Sequence, residues 1–203
     1  GWITAAASLA GDGGGPGPDL IYLPERPFEE EAYLRDVERL LQKKKGIVVV
    51  ASEGLKNRAG RPIVEPIFTA SRATYFGDVG AHLANLVIKR LGYKARSEKP
   101  GLIGRASILL QSSIDREEAI EAGRRATQAV LAGETGKMVA FRRRSDSPYR
   151  AEPFLVEISQ VMMTERVVPD AYINAEGNGV TEVFKDWCRP LLGEELPEMI
   201  SFN

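Results

Sequence analysis

The chain has 203 residues, of which 43% are hydrophobic and 27% are charged, as in an ordinary globular protein. Its 27 basic and 28 acidic residues give a formal net charge of −1, which argues against a nucleic-acid-binding protein that depends on bulk positive charge. One Cys and one His exclude an intrachain disulfide and a Cys/His zinc site, and no apolar run reaches the roughly 18 residues that cross a bilayer, so we expect a cytoplasmic protein without membrane contact.

The first half of the chain alternates between helix and strand patterns. Residues 1–10 are alanine-rich and helix-like, and the glycine- and proline-rich residues 11–18 predict a loop. Residues 19–24 predict a short buried strand, and residues 27–44 predict an amphipathic helix. Residues 47–51 are β-branched and continuously apolar, which is typical of a parallel strand buried on both faces.

The second half continues the alternation after an irregular stretch. Residues 54–78 are predicted to be irregular because they contain Gly60, Pro62 and Pro66. The remaining predicted elements are helices over 79–91, 115–132 and 181–192 and strands over 137–141 and 154–158. Strands that alternate with helices of this length predict an α/β fold with a mainly parallel sheet.

Glu53 follows the strand predicted over residues 47–51. The carboxyl end of a parallel strand is where α/β sheets bind their ligands. An ionised carboxylate only accepts hydrogen bonds, so Glu53 would suit the hydroxyl groups of a sugar. Gly54 then allows the chain to turn sharply. The alternative is a solvated glutamate at the end of a strand.

Arg96 and Arg105 lie nine residues apart on either side of a predicted Pro100-Gly101 turn. Guanidinium groups bind phosphate oxygens through two parallel hydrogen bonds, so this pair indicates a site for a sugar phosphate. The alternative is two surface arginines with weak ion pairs.

A basic triplet, residues 142–144, leads to Pro148 and Tyr149. The triplet is typical of a solvated strand edge. Tyr149 is either an aromatic residue that faces a ligand or a turn residue whose ring is packed.

Several segments have the order and spacing of the C-terminal half of a phosphofructokinase. The opening Gly1-Trp2 and its alanines resemble the residues that follow this family's Met-Gly-Arg substrate motif, and the chain resembles the family from there almost to its end. The other segments that carry the resemblance are residues 20–27, 48–55, 91–96, 99–107, 133–139, 169–174 and 190–194. The resemblance implies a three-layer α/β sandwich with a mainly parallel sheet, in which residues 1–203 form the C-terminal part of a two-domain enzyme.

The resemblance also implies a fructose 6-phosphate site. Glu53 matches the glutamate that holds sugar hydroxyls, and Arg105 matches the arginine that holds the 6-phosphate. Tyr93 and Arg96 match a Tyr-x-x-Arg motif of the substrate site, which often reaches the site from a neighbouring subunit. Tyr149 matches a tyrosine that approaches the sugar in pyrophosphate-type members.

The phosphoryl donor implied by the resemblance is pyrophosphate, with ATP as the alternative, because Leu102 stands where ATP-using bacterial members carry histidine. The family's donor loops, Thr-x-Asp catalytic turn and magnesium-binding acid lie upstream of the Met-Gly-Arg motif. We therefore expect Mg²⁺ and the donor to be bound by a region absent from this chain, and none of its residues to be catalytic. The resemblance implies phosphorylation of fructose 6-phosphate at O1 to fructose 1,6-bisphosphate, in glycolysis, by a homodimer or homotetramer.

The chain begins without an initiator methionine, which we interpret as a break or processing site inside a larger protein. Two other functions stay open on the residues alone. One is a non-catalytic sugar-phosphate-binding or regulatory module, such as a half-enzyme that pairs with a separate N-terminal chain. The other is a different α/β enzyme or a structural domain in which the arginines are surface residues.

Overall fold

Two short parallel strands lie at the centre of the fold. The structure is a computed structural model that describes residues 1–12, 14–70, 73–108, 111–194 and 196. Strand β1 (Leu20–Tyr22) pairs with β2 (Val49–Ala51), with Leu20 opposite Val49. The helices are α1 (Trp2–Ala6), α2 (Glu30–Leu41), α3 (Val79–Leu91), α4 (Gly101–Ala106), α5 (Ser113–Leu131), α6 (Ile158–Val161) and α7 (Glu182–Cys188). The other described strands are β3 (Pro66–Ala70), β4 (Ala73–Phe76), β5 (Lys137–Asp146) and β6 (Tyr149–Glu157).

Helices cover both faces of the parallel pair, because successive residues of β1 point to opposite sides. Leu20 and Tyr22 pack into a first core cluster with α2 and α3. Ile21 packs into a second core cluster with α1 and α7, which includes the fully buried Phe184. This helix–sheet–helix arrangement agrees with the expected three-layer sandwich.

The edge of β1 that faces away from β2 is covered by Asn178. The Asn178 carbonyl accepts a hydrogen bond from the Ile21 amide at 2.9 Å. Its side-chain amide donates to Asp36 at 2.7 Å, and the Tyr22 hydroxyl donates to the same carboxylate oxygen at 3.3 Å. Burial, followed by the Asp36 charge, raises the pKa of Tyr22 above its ordinary value. The polar groups at this edge are therefore satisfied within the fold.

Two antiparallel hairpins accompany the parallel pair, so the described strands are less uniformly parallel than the alternation predicts. Strands β3 and β4 lie within residues 54–78, for which the sequence predicts irregular structure. Strands β5 and β6 overlap the strands predicted over 137–141 and 154–158 but are longer, so only two residues connect them. A connection this short can only join antiparallel strands, since a parallel pair requires a crossover.

The β3–β4 hairpin exposes apolar side chains. Phe68 and Tyr75 are each 60% exposed and pack against each other with ring centroids 6.1 Å apart, and Ile67 is 76% exposed. An exposed hydrophobic hairpin of this kind is typical of a surface that contacts another polypeptide.

The final predicted helix, residues 181–192, is shorter than expected. The α-helix α7 ends at Cys188, and residues 189–192 form a 3-10 turn. Pro190 lacks an amide hydrogen, which ends the regular hydrogen bonding at this point.

We expect Phe184→Ala to lower the free energy of unfolding by about 3–5 kcal/mol, because it empties the centre of the second core cluster. Val183→Ala is the matched control: Val183 is the preceding residue on the same helix but is 59% exposed, so its truncation should cost less than about 0.5 kcal/mol. Urea unfolding of both variants measures the difference. Equal losses would show that α7 does not anchor this core.

Candidate functional site

Glu53 lies in the turn directly after β2, at the carboxyl end of the parallel pair. The Ser52 amide donates to the Tyr22 carbonyl at 3.1 Å, so strand pairing continues to the residue before Glu53. Gly54 packs close to the segment after β1, since a Cβ added there would lie 3.6 Å from the Pro24 Cβ. Glu53 is exposed, and it forms no ion pair with any residue that the structure describes.

Arg105 lies in the last turn of α4 and is exposed. Its guanidinium has no carboxylate partner among the described side chains. Residue Lys99, just before α4, forms an ion pair with Asp78 at 3.1 Å. Asp78 in turn caps α3 by accepting a hydrogen bond from the Ala81 amide at 2.9 Å. This backbone hydrogen bond, with the Lys99 ammonium, holds the pKa of Asp78 below its ordinary value.

A chain of contacts brings the start of α3 to the same end of the sheet as Glu53. The Phe28 amide, before α2, donates to the Lys56 carbonyl at 2.8 Å, three residues after Glu53. The His82 ring, in the first turn of α3, lies 3.3 Å from the carboxylate of Glu30, in the first turn of α2. The Arg90 guanidinium, in the last turn of α3, also donates to the Glu31 carboxylate in the first turn of α2 at 2.8 Å, so both ends of α3 lie close to the start of α2.

Arg96 and Tyr93 lie in the segment that connects α3 to α4. Helix α3 ends at Gly92, whose φ of 74° lies in the left-handed region. The segment then runs back along the helix, because the Ser97 hydroxyl lies 2.5 Å from the position that a Cβ on Gly80 would occupy. Arg96 thus approaches the first turn of α3, while Tyr93, which is 42% exposed, follows its last turn. Arg96 and Tyr93 therefore lie near opposite ends of α3.

Tyr149 begins β6 and packs against other parts of the chain. Its hydroxyl donates to the Glu118 carboxylate of α5 at 2.5 Å. The Arg143 guanidinium lies over its ring at 5.0 Å and over the Trp187 ring at 5.4 Å. A cleft of about 530 Å³ is lined by Tyr149 with residues of the 146–148 turn and of 189–193, and it includes neither Glu53 nor Arg105. Within this chain, Tyr149 is a packed residue at a separate cleft.

Glu25 is a candidate that the sequence patterns above do not single out. It is the acid that follows β1, as Glu53 follows β2, and its side chain is only 10% exposed. One carboxylate oxygen accepts a hydrogen bond from the Val168 amide at 3.0 Å, and the other is buried without a described partner. The same carboxylate lies against the amino group of Gly1. The sequence contains a signal that could have identified Glu25, because Glu25, like Glu53, follows a predicted strand.

Within the described residues, no group of three His, Cys, Asp or Glu side chains is arranged to hold a metal ion. No described helix is long and apolar enough to span a membrane.

We expect the Tyr149 hydroxyl of the folded protein to lose its proton at a higher pH than an ordinary tyrosine. Burial, the hydrogen bond to Glu118 and the Glu118 charge raise its pKa to about 12. Because the pKa of Tyr149 is higher in the folded than in the unfolded chain, its protonated hydroxyl stabilises the fold fully below pH 10. This stabilisation is lost as the pH rises towards about 12. The difference in tyrosinate absorbance between the wild type and Tyr149→Phe isolates this group.

Glu118→Gln should lower the pKa of Tyr149, because it removes the negative charge that opposes ionisation of the phenol. Glu117→Gln, at the exposed neighbouring position on α5, is the control and should leave the titration unchanged. A Tyr149 pKa that is the same in both variants would contradict the contact with Glu118.

Comparison with known proteins identifies the family. A family model described as phosphofructokinase matches residues 1–130. The chain is 34% identical to the pyrophosphate–fructose 6-phosphate 1-phosphotransferases of Xanthomonas campestris pv. campestris (strain B100) and Methylococcus capsulatus (strain Bath), over 97% of its own length. These matches cover 48% and 47% of the two relatives, so the chain spans about half the length of the curated relatives it matches.

A crystal structure of a pyrophosphate-dependent phosphofructokinase from Marinobacter aquaeolei has the same fold. Its TM-score is 0.77 at 30% sequence identity, and the match covers 100% of this chain and 47% of that one. The expected phosphofructokinase-like fold class is confirmed by this agreement. Sequence, fold and length together show that this chain belongs to the phosphofructokinase family and spans about half of a typical member.

Proposed function

We propose that residues 1–203 form the C-terminal portion of a pyrophosphate-dependent 6-phosphofructokinase and that this portion binds fructose 6-phosphate. The observation that supports the proposal is that both Glu53 and Arg105 are exposed, the carboxylate in the turn after a parallel strand and the guanidinium in the last turn of α4. The names of the relatives support this acceptor and this donor.

Glu53 and Arg105 have complementary roles in this proposal. The carboxylate of Glu53 accepts hydrogen bonds from sugar hydroxyls, and its position at a strand's carboxyl end suits a ligand site. The guanidinium of Arg105 donates two parallel hydrogen bonds to the dianionic 6-phosphate. Lys99 and Asp78 already neutralise each other nearby, so Arg105 supplies the positive charge at this position.

Arg96 and Tyr93 extend the proposed substrate site in different ways. Arg96, in the segment that connects α3 to α4, would add a second cation for the phosphate. Tyr93 lies at the far end of α3, so it would serve the site of a neighbouring subunit in a homodimer or homotetramer. Tyr149 would reach the sugar only if the ligand or the partner subunit extends to its cleft, because its hydroxyl is engaged by Glu118.

The donor and the metal would be bound by the half of the enzyme that this chain does not span. Leu102, which is 80% exposed, stands where ATP-using bacterial members carry histidine and cannot donate a hydrogen bond to a phosphate, and this difference from those members supports pyrophosphate over ATP. In the proposed reaction the O1 hydroxyl of fructose 6-phosphate loses its proton to a base and attacks one phosphorus of pyrophosphate, the bridging P–O bond breaks, and inorganic phosphate leaves. The other half would supply that base and the Mg²⁺ that neutralises the transferring group.

The proposed protein acts in the cytoplasm, in glycolysis. In the alternative, the chain is a sugar-phosphate-binding half that acts only when a separate polypeptide supplies the donor site. Phosphotransferase activity, measured after this chain is mixed with a polypeptide that supplies the donor site, distinguishes a split enzyme from a module that binds the sugar phosphate without turnover.

Calorimetry separates the two proposed contacts in the isolated chain. We expect Arg105→Ala to abolish binding of both inorganic phosphate and fructose 6-phosphate, because it removes the phosphate ligand. We expect Glu53→Gln to weaken fructose 6-phosphate binding while leaving phosphate binding unchanged, because Glu53 contacts only hydroxyls. Arg116→Ala, at an exposed position on α5, is the matched control. No binding heat from the wild type at millimolar fructose 6-phosphate would contradict the proposal for the isolated chain.

In the enzyme completed by its other half, Arg105→Ala should reduce kcat/KM by about 30- to 900-fold. This range corresponds to about 2–4 kcal/mol of lost transition-state stabilisation at a charged phosphate contact. Steady-state kinetics with pyrophosphate as donor measures the change, and a kcat/KM equal to the wild-type value would reject the role of Arg105.

A further inference from the structure

We propose that Asp78 and Gly80, at the start of α3, are positioning residues that hold the segment leading into Arg105 in place for a phosphate. The inference rests on the proposed function, because it takes Arg105 to bind the phosphate of the sugar. Neither positioning residue would contact the ligand. Each would act through one residue of the segment, Asp78 through Lys99 and Gly80 through Ser97.

The first contact is made by the Asp78 carboxylate, whose two oxygens have different partners. One oxygen accepts a hydrogen bond from the Ala81 amide at 2.9 Å and thereby caps α3. The other lies 3.1 Å from the ammonium of Lys99, which is 65% exposed. An ion pair this exposed adds little to stability. Its consequence is geometric, because it holds Lys99, two residues before α4, beside the start of α3.

The second contact is a close approach between Gly80 and Ser97. A Cβ on Gly80 would lie 2.5 Å from the Ser97 hydroxyl oxygen, closer than real side chains come to one another. The φ angle of Gly80 is not in the left-handed region, so its backbone conformation does not require glycine. Glycine is also less favourable than alanine in a helix. The lack of a side chain at position 80 therefore serves the approach of Ser97.

Every second residue of the segment before α4 contacts the rest of the fold. Ala95 packs against the first core cluster. Ser97 and Lys99 form the two contacts with the start of α3. Arg96 lies between the first two of these residues and is exposed. The backbone is therefore held on both sides of Arg96 while its side chain faces solvent.

Helix α4 depends on this segment for its position. The helix is six residues long, and its described side chains are exposed, so they do not anchor it in either core cluster. It begins directly after Lys99 and Pro100, at Gly101, whose φ of 54° lies in the left-handed region. The place of Arg105, in the last turn, thus follows from where Lys99 is held.

A guanidinium that binds phosphate through two parallel hydrogen bonds needs this kind of support. Both bonds form only when the guanidinium plane is correctly oriented to the phosphate oxygens. Residues behind a binding side chain keep it within a fraction of an ångström of that geometry, and a displacement of about 1 Å can cost up to about 100-fold in function. Loss of either contact should therefore weaken phosphate binding without removing a ligand.

Asp78→Asn tests the first contact. Asparagine caps helices as well as aspartate does, so α3 stays capped, but its neutral amide does not form an ion pair with Lys99. By calorimetry, we expect the full chain with Asp78→Asn to bind inorganic phosphate and fructose 6-phosphate at least about fivefold more weakly. Glu98→Gln, at an exposed position of the same segment, is the matched control for the lost negative charge and should not weaken binding.

Gly80→Ala tests the second contact. The added methyl group should displace Ser97 and weaken phosphate binding at least about fivefold. Combining it with Ser97→Ala removes the oxygen that the methyl group meets, so the double variant should bind within about threefold of Ser97→Ala alone. Gly123→Ala is the matched control on α5, because a Cβ there meets nothing within 4 Å. Recovery in the double variant would exclude a general loss of folding.

A measurement without ligand reports directly on α4. In ¹⁵N relaxation experiments, the Arg105 amide of the wild type should have the order parameter of rigid backbone, about 0.85. Asp78→Asn and Gly80→Ala should each lower it to below about 0.6, the range of flexible backbone, while Gly123→Ala leaves it unchanged.

Three outcomes would overturn the proposal. The first is an Arg105 order parameter that neither variant lowers. The second is a loss of binding in Gly80→Ala that Ser97→Ala does not restore. The third is tighter phosphate binding by Asp78→Asn than by the wild type, which would identify Lys99 as a phosphate ligand that Asp78 only restrains.

Failure of this inference and failure of the proposed function give different results. A lower order parameter in both variants, with no fructose 6-phosphate binding by the wild type, would reject the substrate site and support the positioning contacts. Binding that Arg105→Ala abolishes but Asp78→Asn and Gly80→Ala leave unchanged would do the reverse.

Discussion

The structure depends on a two-stranded parallel sheet that must be covered on both faces. A parallel pair this short has too few hydrogen bonds to persist in water, so its stability comes from helices packed on each side. The alternation of Leu20, Ile21 and Tyr22 sends side chains into two separate core clusters, and this divides the molecule into layers. Among the candidate site residues, Glu53, Tyr93 and Arg96 lie in connecting segments, whereas Arg105 lies in the last turn of α4 and Tyr149 begins β6.

The layered arrangement accounts for where chemistry can occur. Both strands point in the same direction, so the acids that follow them, Glu25 and Glu53, emerge at one end of the sheet. Glu25 is turned inward and tied to Val168, whereas Glu53 stays exposed. The two acids therefore have similar positions in the sequence but different environments, and only the exposed one is free to meet a ligand from solvent.

Local patterns in the sequence are sufficient to predict the helices and strands of the central layers. The β-branched run at 47–51 and the glycine at 92 predict elements close to those observed. The hairpin of β3 and β4 was missed because Gly60, Pro62 and Pro66 suggest irregular structure, while pairing between Phe68 and Tyr75 depends on a contact that no single segment reveals. Among the site residues, the exposure of Glu53 and Arg105 agrees with their residue types. The packing of Tyr149 on Glu118 and Arg143 depends on distant parts of the chain and could not be predicted from the Pro-Tyr pair.

The exposed aromatic hairpin has a consequence for how such a polypeptide survives in a cell. A surface that carries Ile67, Phe68 and Tyr75 attracts chaperones and proteases for as long as nothing shields it. Covering this surface would therefore lengthen the lifetime of the polypeptide.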